Sequence, residues 1–111
     1  MAAEGPDAVF DALADPMRRH LLATIAQRPA TATELASELP ITRQAVAKHL
    51  GSLSEAGLLA RERSGRDVRY RVTPAPLSGA ASWMAAVGGQ WDQRLARLAE
   101  ALAETSDRQG R

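Results

Sequence analysis

The chain has 111 residues, 45% hydrophobic and 24% charged, which suits one domain with a buried core and is too short for two ordinary ones. Cysteine is absent, no apolar run approaches the roughly 18 residues of a membrane span, and no signal-peptide pattern opens the chain. Disulfide scaffolds, Cys-based zinc sites, iron–sulfur clusters and thiol nucleophiles are thereby excluded, and a cytoplasmic location is expected. The net charge of +1 conceals an asymmetry: residues 1–15 hold four acids and no Lys or Arg, whereas residues 41–73 hold seven bases against three acids. A local basic field attracts polyanions even on a nearly neutral molecule.

Pro6-Asp7 opens a first helix, with Ala8, Val9, Ala12 and Leu13 on one face. Asp15-Pro16 restarts the chain as a second helix over residues 17–27, because Asp caps well and Pro is tolerated at the first helical position. Leu21, Leu22 and Ile25 form its inner face, and Arg28-Pro29 stops it. Thr31-Ala32-Thr33-Glu34 matches a capping box and starts a short third helix, which Pro40 ends. Thr42 caps a fourth helix carrying Val46, Leu50 and Leu53 at helical spacing and closing near Gly57.

Two short helices joined by a tight turn, the second polar on its exposed face, form the helix-turn-helix pattern. A Val46/Leu50/Leu53 core leaves Arg43, Gln44, Ala47 and Lys48 outward. These residue types read DNA: Arg or Lys addresses guanine, Gln addresses adenine, and a small apolar group meets the thymine methyl. An ordinary solvated amphipathic helix would carry similar residues, so the next segment decides. Residues 58–63 and 68–72 read as two strands around Ser64-Gly65-Arg66-Asp67, with Val68, Tyr70 and Val72 inward and Arg69 and Arg71 outward. A hairpin with five arginines directly after a helix-turn-helix is a wing able to reach backbone phosphates or a minor groove. Arginines also protect exposed strand edges, so Arg63 and Arg66, nearest the tip, outrank Arg61, Arg69 and Arg71 as DNA contacts.

These residues carry a resemblance. The run from Phe10 through Asp15-Pro16-Met17-Arg18-Arg19 is similar to the opening of the ArsR family of bacterial winged-helix repressors. Glu34-Leu35-Ala36, then Ala45-Val46-Ala47-Lys48-His49-Leu50, then Leu53 through Ala56-Gly57-Leu58 resemble that family's central string, and the wing matches as well. The resemblance runs continuously over about residues 7–73. It implies a mainly α fold with a small β-hairpin, a winged helix-turn-helix that dimerises through its terminal helices and binds double-stranded DNA with the fourth helix in the major groove. On this reading Thr42, Arg43, Gln44, Ala47, Lys48, His49, Arg63 and Arg66 are the DNA-binding residues. Ala47 is a departure, since many relatives carry Ser there; a hydroxyl contact is missing.

Metal-sensing members of the family use Cys pairs on the third helix or Asp, His and Glu sets on the last one. Here the third helix has no thiol, the last helix has no histidine, and His20 and His49 are scattered. Two separate imidazoles do not make a transition-metal site, so neither metal nor another cofactor is expected. The last helix, over residues 76–104, carries Met84, Trp91 and Leu98 at one seven-residue repeat and Gly88, Leu95 and Leu102 at another. This stripe, joined by Val9 and Leu13 of the first helix, is the expected homodimer interface; residues 105–111 are expected to form a disordered tail. The whole chain is expected to be a single winged-helix domain. No nucleophile–base pair or phosphate loop occurs, so catalysis has no support. A dimeric, autoregulated repressor on an inverted-repeat operator is the favoured reading. The alternative is a winged-helix adaptor that binds protein instead of DNA, which would tolerate acids where Arg43, Lys48 and the wing arginines stand. A small-molecule effector between the dimer helices and no effector at all are both left open.

Overall fold

A computed structural model of the chain describes residues 6–109. It divides into two compact units, the first ending at Ala80 and the second beginning at Ala81, where a single domain is expected from the sequence. The elements of the first unit are α1 (Pro6–Leu13), α2 (Pro16–Gln27), β1 (Ala30–Thr31), α3 (Ala32–Glu38), α4 (Arg43–Glu55), β2 (Leu59–Ser64) and β3 (Asp67–Val72). A last helix, α5 (Pro74–Gln109), begins in the first unit and supplies the second. It starts two residues earlier than the apolar pattern suggests and continues through residues 105–109, expected as tail; residues 110 and 111 lie outside the described residues.

The helix boundaries follow from local chemistry. Asp15 accepts from the backbone N–H groups of Met17 at 2.7 Å and Arg18 at 3.1 Å, and so caps α2. Arg18 turns back to donate to the carbonyls of Ala12 at 2.6 Å and Asp11 at 2.9 Å, while Arg19 donates to that of Leu13 at 2.6 Å. Two guanidiniums thus satisfy the orphan carbonyls of α1 and complement the negative end of its dipole. The capping box of α3 is complete: Glu34 N–H donates to Thr31 Oγ1 at 3.1 Å and Thr31 N–H to Glu34 Oε1 at 2.9 Å. Helix α4 ends in a Schellman motif, with Leu58 N–H bonded to the Leu53 carbonyl, Gly57 N–H to that of Ser54, and Gly57 at φ +80.

The sheet has the order β1-β3-β2, all antiparallel. Strand β1 has no counterpart in the sequence reading, where Thr31 serves only as a helix cap. Its two residues pair with Tyr70 and Arg69 and fasten the wing to the body. The hairpin turn is the two residues Gly65-Arg66, with Gly65 at φ +65 and no positive φ at Arg66; glycine first and another residue second suits a II′ turn.

Leu21, Ile25, Leu35, Val46, Leu50, Leu53 and Leu58 are the fully buried side chains of the core. They come from α2, α3, α4 and the segment after it, which fixes α3 and α4 against one support. Val9 belongs to this core at 2% exposure, and Leu13 is partly buried against it. Val9, expected at the dimer interface, is instead buried with Ala12 within the first unit of the single chain.

Candidate nucleic-acid interface

Helix α4 presents opposite faces to core and solvent. Val46, Leu50 and Leu53 are buried, and Arg43, Gln44, Ala47 and Lys48 are exposed. Gln44 and Lys48 stand one turn apart on the outermost face, and Arg43 and Ala47 stand one turn apart on the flank toward the wing. Thr42 is the N-cap, accepting from Ala45 N–H at 3.0 Å, so its oxygen holds the helix while its proton stays available to a phosphate. His49 is a correction. It lies on the flank opposite Arg43 and Ala47, half-buried, with its Nδ1 buried and without a hydrogen-bond partner. The Arg18 and Met17 N–H groups, with help from the charges of His49 and Arg18, hold the Asp15 carboxyl below the usual carboxylate range.

The five wing arginines separate by what they touch. Arg69 donates to the Pro29 carbonyl and to Glu34 Oε1, each at 3.2 Å, tying β3 to the start of α3. Arg71 pairs with Glu62 across the hairpin at 3.8 Å. Both serve the sheet. Arg61, Arg63 and Arg66 are exposed and make no ion pair among the described residues. The register sets Arg61 opposite Tyr70 and Arg63 opposite Val68, and directly opposed residues share a face. Tyr70 and Val68 face a cleft of about 170 Å³ whose other walls include Thr31, Thr33, Arg43 and Ala47, with Arg66 and Asp67 at the wing tip. The unpaired arginines of the wing thus lie on the side turned toward α4. The Thr31 N–H, followed by the Arg69 charge, holds the Glu34 carboxyl below its usual range, as expected of an anion shared between a helix cap and a cation.

A wider depression of about 290 Å³ lies between α1 and the C-terminal end of α4, lined by Ala8, Asp11, Arg18, Ser52 and Glu55 among others. Its guanidinium is already committed to the carbonyls of α1. Among the described residues no group of three His, Cys, Asp or Glu could hold a metal ion, and no helix is long and apolar enough to cross a membrane.

In the second unit, Met84, Trp91, Leu95, Leu98 and Leu102 are 51–61% exposed, and Gly88, on the same stripe, is exposed too. At 3.6 residues per turn these six positions fall within about 80° of helix circumference. Trp83 is exposed on a neighbouring face, and the Arg94 guanidinium sits 5.3 Å from the centre of the Trp91 ring.

A family model described as a helix-turn-helix domain matches residues 13–62. An HTH-type transcriptional regulator of Mycobacterium tuberculosis is 37% identical over 73 residues, covering 66% of this chain and 68% of that protein. The transcriptional repressor SdpR of Bacillus subtilis is 29% identical over 76 residues, covering 68% of this chain and 84% of the repressor. Among solved structures, an ArsR-like transcriptional regulator from Rhodococcus sp. RHA1 is similar with a TM-score of 0.74 and 39% identity, over 84% of this chain and 88% of that one.

Proposed function

The chain belongs to the ArsR family of winged helix-turn-helix transcriptional regulators, and we propose that it acts as a homodimeric, autoregulated repressor that binds an inverted-repeat operator without a metal. The observation that carries this reading is the surface formed by α4 and the wing. Gln44 and Lys48 are free to meet base edges, and Arg43, Arg63 and Arg66 beside them can anchor the flanking phosphates. The function is binding, not catalysis. Repression draws support from the likeness to SdpR.

Dimerisation draws support from α5. Five large apolar side chains, each more than half exposed along one face, exceed the scattered apolar residues of an ordinary monomer surface. With Gly88 between Met84 and Trp91, the stripe alternates four- and three-residue steps, which suits a second helix of the same kind. A two-fold dimer presents two copies of α4, which calls for two half-sites in inverted orientation about one helical turn apart or a multiple of it. Metal independence draws support from a chain with no Cys and two histidines on different helices.

The deciding experiment is footprinting of the purified protein on the DNA upstream of its own gene. Two protected half-sites related by a two-fold axis are expected. Protection no better than on a scrambled duplex would refute the reading and favour a protein-binding adaptor.

A further inference from the structure

Arg43 is anchored before any DNA arrives. Its Nε donates to Thr33 Oγ1 at 3.0 Å, a bond from the first turn of α4 back to the first turn of α3. The two terminal nitrogens of the guanidinium remain, and as a pair they can meet a phosphate bidentately, end-on. A free arginine gives up much rotamer freedom on binding, and here that ordering has already occurred in the folded protein. Arg43 also lines the cleft that Arg66 and Asp67 line from the wing tip. Two arginines and one aspartate among the lining residues leave a single positive charge, the complement of one phosphodiester.

We propose that this cleft seats one backbone phosphate of the bound DNA, clamped between Arg43 on α4 and Arg66 on the wing, and that Thr33 is the positioning residue for Arg43. The inference rests on the DNA-binding reading above. It makes the recognition helix and the wing share one phosphate, so that docking of either sets the place of the other. It also gives Arg43 a backbone role, leaving base edges to Gln44 and Lys48.

The test measures fluorescence anisotropy on a labelled duplex from upstream of the chain's own gene and on a scrambled duplex of equal length. Thr33→Val keeps the shape and removes the acceptor; it should weaken binding to both duplexes by about tenfold for the dimer, whereas Thr33→Ser should stay within about twofold of wild type. Asp67→Asn should tighten binding to both. A series of duplexes, each with one uncharged methylphosphonate, should reveal one phosphate per half-site whose neutralisation weakens the wild type but not Arg43→Ala, a coupling that a purely structural effect would not produce. Thr33→Val indistinguishable from wild type, or altered in base preference alone, would overturn the inference while leaving the DNA reading intact. So would a phosphate series in which Arg43→Ala and wild type respond alike. A wild-type chain that binds neither duplex overturns the DNA reading and this inference with it.

Discussion

Replacing Leu95 by Asp tests the dimer at its centre. Leu95 lies in the middle of the α5 stripe and is 56% exposed in the single chain. Full burial of a leucine stabilises by about 1.5–3 kcal/mol, so covering the exposed half is worth about 1 kcal/mol per chain and about 2 kcal/mol per dimer. The aspartate adds the cost of desolvating the two carboxylates that the proposed dimer would bury, at least about 2 kcal/mol more. The sum, about 4 kcal/mol, weakens dimerisation about a thousandfold. Sedimentation equilibrium at micromolar concentration should show a wild-type dimer and a Leu95→Asp monomer, and the variant should lose operator binding. The melting temperature of the wild type should rise with protein concentration and that of the variant should not. A monomeric wild type would refute the reasoning, as would a variant that keeps its mass. A fall in melting temperature without a change of mass would show that Leu95 packs within its own chain.

Gln44→Ala should relax preference at one base pair in each half-site, by about 1–3 kcal/mol, on a panel of singly substituted operator duplexes. Arg66→Ala should weaken operator and scrambled DNA alike and flatten the dependence of log K on log salt by about one unit per lost phosphate contact. Zn, Cd, As or Ni should leave the protein–DNA equilibrium unchanged by anisotropy titration; a stoichiometric metal-induced release would contradict this. Glu34 has a lowered pKa in the folded state, so its contribution to stability is fully present above the ordinary carboxylate range and is lost as pH falls through the folded value. Melting temperature against pH should accordingly drop less steeply in acid for Glu34→Gln than for wild type.

What could be read from the chain alone was local. Asp15-Pro16, the Thr31/Glu34 box, Thr42 and Gly57 each act within four residues of themselves, and the structure finds all of them in the roles their chemistry suggests. The alternation of Val68, Tyr70 and Val72 likewise located the wing. The missed features depend on partners distant in sequence. Strand β1 exists because Tyr70 and Arg69 come alongside, 40 and 38 residues later. Distance from the wing tip ranked Arg69 below Arg66, but that Arg69 is taken up by Glu34 and the Pro29 carbonyl, 35 and 40 residues away, no local pattern reveals. Val9 and Leu13 share an apolar face, and periodicity marks such a face without saying which chain it meets. The one available hint about His49 was angular: it lies about 100° around the helix from Lys48, toward the Val46/Leu50 side.

The division of α4 between a buried stripe and a bare outer face has a consequence for how such a regulator can diverge. Gln44, Ala47 and Lys48 support no part of the core, and substitutions at such exposed positions usually change stability by less than about 0.5 kcal/mol. After a gene duplication, one copy can therefore acquire a new operator by changes at these three addresses while its scaffold stays as it was. Paralogues of this chain should keep Val46, Leu50, Leu53 and Gly57 and differ in the residues between them, so that regulatory networks drift apart on an unchanged frame.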